Sequence, residues 1–271
     1  MHNSLIISVY KNTTFLKSVL DNLSFQTVKP TEIIISEDGE DSDMRNFILN
    51  YDFTIPYQHL TQKDTGWQKN PALNRAIRAS KTGYLIFIDG DCVLHPKFIE
   101  HHLKMASEQV ILAGKRVKLG PKFSEKLLNE DVQSFSKSYL SNYSKIKKEG
   151  GQFCEEGIFI PYNSLTSKLI KALGISSIKG CNFSCYKSAI ETINGFDEDY
   201  TLPAVGEDID LVWRFKGLEF RIVSVRHFAV QYHLHHKESW TDQTKNLAIM
   251  REKMAQKIFR CYNGLNKLNN D

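Results

Sequence analysis

TyrLeuIlePheIleAspGlyAspCys, residues 84–92, holds the clearest strand signal in the chain. Five apolar residues in a row after Gly83 predict a buried strand, and it runs straight into two carboxylates separated by one glycine. Upstream, the β-branched runs at Leu5 to Val9 and Glu32 to Ile35 flank a segment with Phe15, Leu16, Val19, Leu20 and Leu23 at helical spacing. This is a β-α-β unit. A right-handed crossover puts the carboxyl ends of parallel strands on one edge of the sheet, where open α/β folds bind ligands. SerValTyr at 8–10, GluAspGly at 37–39 and AspGlyAsp at 89–91 therefore converge there. A further strand at Tyr57 to Leu60, a polar loop at 63–70 and a helix started by Pro71 and running to Ser80 complete the first half.

Beyond residue 92 the spacing predicts a helix from Pro96 to Ser107 and a strand at Val110 to Ala113. A Lys-rich, helix-prone stretch at 121–172 reads as a partly mobile insertion. The pattern tightens again from Ser177, with a last strand at Phe220 to Val225 and the run AlaValGlnTyrHisLeuHisHis at 229–236. From Trp240 an amphipathic tail is expected, with Leu247, Met250, Met254, Ile258 and Cys261 on one face. No repeat or linker divides the chain, so one α/β domain over 1–236 is expected, its halves at 1–92 and 93–236, with a helical tail at 237–271.

Composition narrows the function. At 41% hydrophobic, 24% charged and 11% aromatic residues, the 271-residue chain is a globular protein rather than a disordered or coiled-coil one. A net charge of +4 is too slight for a nucleic-acid binder but compatible with weak attraction to anionic lipid or a diphosphate. Five cysteines without a signal peptide point to a reducing, cytoplasmic setting, and Cys181 and Cys185 read as small buried hydrophobes rather than metal ligands. The apolar runs are too short to span a bilayer.

Three clusters carry chemistry. Asp89 and Asp91 repel each other unless a cation intervenes, and carboxylates that share a divalent ion with substrate phosphates are the functional reading. A solvated strand-to-turn junction is the bland one. Glu207, Asp208 and Asp210 precede or open a helix, where the dipole alone favours acids, although the turn-rich sequence before them presents them to a cleft. His233, His235 and His236 follow a strand. In strand geometry 233 and 235 face one way and 236 the other, so at most two serve one ion.

The ordered set SerValTyrLysAsn, IleSerGluAspGly, AspThrGlyTrpGlnLysAsnProAlaLeuAsnArgAlaIle, PheIleAspGlyAspCys, GlyCysAsnPheSerCys, IleAsnGlyPheAspGlu, GlyGluAspIleAspLeuValTrpArg and TyrHisLeuHisHis resembles family 2 glycosyltransferases. The second half is similar to the galactosyltransferase-like domain of chondroitin-polymerase-type enzymes. The resemblance covers about residues 4–236, apart from 121–172. It implies a GT-A fold, with a Rossmann-like nucleotide-binding half joined to an acceptor half, and inverting transfer from a nucleotide diphosphate sugar.

The same resemblance implies roles for individual residues. Val9 and Tyr10 line the base pocket, and Asp38 bonds the nucleobase. GluAspGlyGlu at 37–40 stands where the family usually has Asp-Asp-Gly-Ser. Asn70 and Asn74 reach the donor's ribose and diphosphate, with Trp67 and Lys69 beside them. Asp89 contacts ribose or a metal-bound water, Asp91 binds Mn²⁺ or Mg²⁺ directly, and His233 is the further ligand, with His235 as its substitute. Asp208 is the general base and Glu207 binds a sugar or acceptor hydroxyl. ProAlaValGly at 203–206 departs from the Trp-Gly-Gly of the narrower family, which leaves the donor sugar open. The implied partners are a nucleotide diphosphate sugar, uridine diphosphate first, and a glycan or lipid-linked acceptor. The Lys-rich insertion and the tail are candidates for peripheral membrane contact, and oligomeric state is left open. A nucleotidyltransferase would show a Gly-rich phosphate loop, which SerValTyrLysAsnThrThr lacks. A non-catalytic binding protein would have no need of Asp89, Asp91, Asp208 and His233 together.

Overall fold

A computed structural model describes residues 1–173, 177–203, 205–237 and 242–268. The first half runs β1 (Ser4–Val9), α1 (Thr13–Asn22), β2 (Glu32–Glu37), α2 (Ser42–Asn50), β3 (Tyr57–Leu60), α3 (Lys69–Ala79) and β4 (Tyr84–Asp89). β5 (Cys92–Leu94), α4 (Phe98–Met105), β6 (Val110–Ala113), β7 (Val117–Lys118), α5 (Pro121–Leu128), α6 (Val132–Lys148) and α7 (Ser164–Leu173) follow. The chain continues through β8 (Asn182–Tyr186), α8 (Lys187–Thr192), α9 (Asp210–Gly217), β9 (Arg221–Ser224), β10 (Gln231–His233) and α10 (Thr244–Ala255).

Seven strands form one sheet in the order β3-β2-β1-β4-β8-β6-β9. β3, β2, β1 and β4 are mutually parallel, and β8 runs antiparallel to both β4 and β6. The period of two sorts the side chains of the central strands. Leu5, Ile7 and Val9 of β1 and Ile86 and Ile88 of β4 pack with α1 and α2, whereas Ile6, Leu85 and Phe87 pack with α3 and α9. Helices from the two sides of β1 thus cover opposite faces, which makes the β1–β4 boundary a switch point with a crevice at its carboxyl edge.

A second, three-stranded sheet, β5-β10-β7, sits beside that crevice. The antiparallel register pairs His233 with Cys92, and the Leu234 N–H donates to the Asp91 carbonyl at 2.9 Å. A strand from the end of the chain is thereby fixed next to the carboxylates that end β4.

Two expectations are corrected. The stretch 121–172, expected as a partly mobile insertion, sends α5 and α6 into the core. Phe135 and Tyr139 of α6 lie fully buried against Tyr232, with ring centroids 5.1 and 5.5 Å away, and burial of such rings contributes about 1.5–3 kcal/mol each as an upper estimate. The tail, in turn, docks by its polar side. Asn246 and Lys253 are the buried residues of α10, and Met254 is 46% exposed. Lys253 Nζ reaches Asp197 and Asp199 at 2.5 Å each, so two carboxylates compensate the buried ammonium. Lys257 takes a positive φ and turns the chain, and residues 258–268 return over Ile193 to Glu198 through backbone bonds from Cys261 and Leu265. Trp240 lies outside the described residues.

Candidate active site

Val9, Asp38 and Asp89 stand at or just past the carboxyl ends of β1, β2 and β4, around a cleft of about 570 Å³ whose walls include Tyr10, Trp67 and Asp91. Gly90 allows the close approach of β4's end to β1: its N–H donates to the Ser8 carbonyl at 2.8 Å, and a Cβ there would sit 2.7 Å from Val9 Cγ1. Asp38 accepts from Gln62 Nε2 at 2.7 Å and from the Gln68 N–H at 2.8 Å, and a carboxylate with two donors keeps lone pairs for a third. Glu37 points away from this task. It is buried, taking the Asp41 N–H and His59, which accounts for the longer acid at that position. Tyr10 is exposed on the rim, its hydroxyl 3.3 Å from Asp64.

The two carboxylates of AspGlyAsp have different partners. Asp89 is held by Lys69 at 2.8 Å on one oxygen and faces Arg116 at 3.6 Å on the other. Asp91 faces His233 at 3.3 Å and His236 at 3.1 Å, both through Nε2. Burial pushes the Asp91 carboxyl up, but hydrogen bonds from the two imidazoles and the charge of Arg116 outweigh it and hold the group well below the usual carboxylate range.

Asp91, His233 and His236 place one ligand atom each within 4.8 Å of one another. One carboxylate oxygen and two imidazole nitrogens are a donor set that fits a divalent cation and leaves positions for other oxygens. The second histidine is His236; His235, the substitute that the resemblance offered for His233, is not in the set. β10 ends at His233, so strand alternation stops there; the His235 N–H is bonded to Ser124 Oγ, and residue 235 is exposed. Asp89 lies outside this set, engaged by its two cations.

The second half brings Asp208 to the same region. It sits in a π-turn, Val205–Ile209, just before α9, where the Gly180 N–H donates to Oδ1 and Lys179 Nζ lies 3.7 Å from Oδ2. Burial raises its pKa above the ordinary carboxylate value against the pull of Lys179 and Lys69, with the Asp89 charge adding to the rise. Lys69 therefore acts on Asp89 and Asp208 alike. Asp210 faces the other way, fully buried, and bonds Tyr200 Oη, Trp213 Nε1 and Arg214 Nε. The side chain of Glu207 lies outside the described residues.

Asn70 and Asn74 are also placed otherwise than expected. Both are fully buried, and their amides donate to Asp197 O and Gly206 O, and to Phe196 O and Glu198, respectively. They tie α3 to the segment before Asp208, and contact with a ligand in the cleft is replaced by this positioning role. Arg116 and Lys179 are candidate site residues that sequence reasoning did not single out, and His236 was named there without a role of its own. Only His236 carried a signal, as the third histidine of its run.

The match to known proteins is consistent along the chain. The model of glycosyl transferase family 2 matches residues 4–170, and that of the N-terminal domain of galactosyltransferase matches 163–237. Chondroitin synthase of Pasteurella multocida (strain Pm70) is 23% identical over 278 residues, covering 97% of this chain and 28% of that protein. Chondroitin synthase of Escherichia coli is 23% identical over 270 residues, covering 94% and 38%. The chain thus spans less than two-fifths of the length of these relatives. Among solved structures, the mannosyltransferase PcManGT from Pyrobaculum calidifontis, in complex with GDP-Man and Mn²⁺, superposes with a TM-score of 0.58 at 13% identity, over 95% of this chain and 62% of that one. TarS of S. aureus in complex with UDP-GlcNAc gives 0.56 at 13% identity, over 94% and 66%. Both likenesses are of fold, the GT-A type.

Proposed function

The chain belongs to glycosyl transferase family 2, and from that premise we propose an inverting, metal-dependent transferase that moves a hexose or N-acetylhexosamine from a nucleotide diphosphate sugar, uridine diphosphate first, to a hydroxyl of a glycan or lipid-linked saccharide in polysaccharide biosynthesis. One observation carries the reading: Asp38 and Asp91 line one cleft at the carboxyl edge of the sheet, His233 and His236 join Asp91 in one donor set, and Lys69 of the same cleft bonds Asp89 and draws electrostatically on Asp208. Residues 1–92 then serve the donor and 93–236 the acceptor. Five buried free thiols agree with a cytoplasmic setting.

In this reading Asp38 accepts an N–H of the base, flanked by Tyr10 and Trp67. Lys69 and Arg116 hold Asp89 and leave positive charge facing the diphosphate. Asp91, His233 and His236 would hold the metal, and two imidazole donors favour Mn²⁺ over Mg²⁺. When bound, the ion offsets charge that develops on the leaving diphosphate. Asp208 takes the proton of the acceptor hydroxyl as its oxygen attacks the anomeric carbon, and the raised pKa suits a base working nearer neutrality.

Thermal-shift measurements with nucleotide diphosphates and their sugars, with Mn²⁺, Mg²⁺ or chelator, test the reading, because a ligand of the folded state raises its stability. A metal-dependent shift with one nucleotide is expected, lost in Asp91→Ala and kept in Asp208→Asn. Transfer that proceeds undiminished in chelator would remove the metal from the proposal, and no shift with any nucleotide would remove the donor.

A further inference from the structure

Asp38 is held at the cleft by a relay of two further side chains. β3 ends at Leu60, but its pairing with β2 continues two residues beyond, where the Gln62 N–H donates to the Gly39 carbonyl at 3.0 Å. This sets the Gln62 amide against Asp38: Nε2 donates to Asp38 Oδ1 at 2.7 Å and to the Gln68 carbonyl at 2.8 Å. At the other end, Gln62 Oε1 accepts from Arg75 Nη2 of α3 at 2.8 Å. A glutamine amide can usually be turned over. Here a guanidinium only donates, and a carboxylate and a carbonyl only accept, so one orientation alone bonds all three partners. Burial and the charge of Arg78 disfavour the Arg75 cation while the Asp38 charge favours it, so guanidinium and carboxylate act on each other across Gln62.

Asp38 lines the cleft and the two relay residues do not, so whatever they do to a ligand passes through that carboxylate. Its Oδ2 takes the Gln68 N–H at 2.8 Å, so each oxygen has a fixed donor and the plane of the group is pinned. The remaining lone pairs can only accept. Uracil, thymine and guanine offer an imino N–H to such an acceptor. Cytosine and adenine have a bare ring nitrogen there, beside an amino group that a carboxylate could reach only by shifting. We propose, on the donor reading above in which Asp38 bonds the base, that Arg75 and Gln62 are positioning residues that pin Asp38 as the reader of an imino N–H, so that the cleft selects nucleoside diphosphates whose base carries one. A site built to bond an N–H rejects the analogue that lacks it, because the acceptor is then left unmet. The relay adds rigidity to that choice: a carboxylate with both oxygens anchored cannot follow the amino group of the wrong base.

Titration calorimetry of the full chain with UDP, GDP and CDP at constant Mn²⁺ tests the assignment, with Gln62→Glu, Arg75→Met and Arg75→Lys as variants. The wild type should bind UDP or GDP at least about tenfold more tightly than CDP. Gln62→Glu still accepts from Arg75 but turns a second carboxylate on Asp38, and it should lose at least about tenfold for the favoured nucleotide and bring its ratio to CDP below about threefold. Arg75→Met should shift the ratio the same way by less, and Arg75→Lys should restore part of it. Mn²⁺ affinity without nucleotide should stay unchanged in every variant, because the relay does not touch Asp91, His233 or His236, and a damaged fold would lower it. If Gln62→Glu does not fold, Arg75→Met decides, since Arg75 acts one side chain further from the cleft. A wild type that binds UDP or GDP, with variants that keep its ratio to CDP, would overturn the relay and leave the donor reading standing, and so would a wild type that binds CDP equally well. A wild type that binds none of the three would remove the donor reading and the relay with it.

Discussion

The chain contains two Asp-x-Asp triplets at its site, Asp89-Gly90-Asp91 and Asp208-Ile209-Asp210, and they put the same spacing to opposite use. The first closes a strand: Asp89 is its last residue, Gly90 and Asp91 form the turn that follows, and both carboxylates line the crevice. The second enters a helix, where positions two apart point in nearly opposite directions. Asp208 faces Lys179 and the Gly180 N–H, and Asp210 goes to the core against Arg214. What distinguishes the four acids is the partner each meets: Lys69 and Arg116 for Asp89, two imidazoles for Asp91, Lys179 for Asp208, and a buried guanidinium for Asp210. Spacing alone carries no role; the backbone that holds it does.

The sharpest division should come within the helical triplet. Asp208→Asn should lower the rate of sugar transfer by about 10²- to 10⁴-fold, the range of a lost general base. Its melting temperature at neutral pH should stay level or rise. The sign follows from the raised pKa: folding favours the protonated acid, so ionised Asp208 subtracts stability as pH climbs from the ordinary carboxylate value through the raised one. Arg214→Met should do the reverse, costing about 3–5 kcal/mol in urea unfolding by stranding a buried carboxylate. Activity measured well below its melting point should largely survive, and if Arg214→Met abolished transfer in a folded protein, the contrast between the two acids would collapse.

A smaller effect separates the histidines. His236→Ala should weaken Mn²⁺ binding, read by calorimetry, by no less than the roughly 10- to 100-fold that outer-shell partners cost, and His235→Ala should leave it alone. Equal losses would mean that the chain past His233 turns differently from the path described. The smallest expected change is in pH dependence. Lys179 lowers the pKa of Asp208, so Lys179→Met should move the acid limb of kcat/KM to higher pH. Asp208→Asn should have no such limb in its residual activity.

The sheet was readable because β1, β2 and β4 are uninterrupted apolar runs, and burial on both faces demands such runs. The carboxylate edge followed from topology. Less legible was anything decided by partners distant in sequence. Asn70 and Asn74 lie in a stretch that reads like a ligand loop, yet the helix starts at Lys69 and turns both amides onto residues 196–206, a contact no local pattern encodes. Lys253 reads as the polar side of a surface helix until Asp197 and Asp199 draw it inward. Arg116 and Lys179 carry no local signal at all, because their meaning comes from the acids they face.

On the ribosome, the strand order makes β4 an unfinished edge. β1 to β4 can pair as soon as residue 89 is free, but β8, which closes the other side of β4, is made nearly a hundred residues later, and unpaired edges invite wrong partners. The strap at 258–268 comes later still, and it covers the turn at Asn194 and Gly195 that supports Arg214. Synthesis therefore completes the β1–β4 side first and the side bearing Asp208 later, so a nascent chain passes through a stage with half a site and an open sheet.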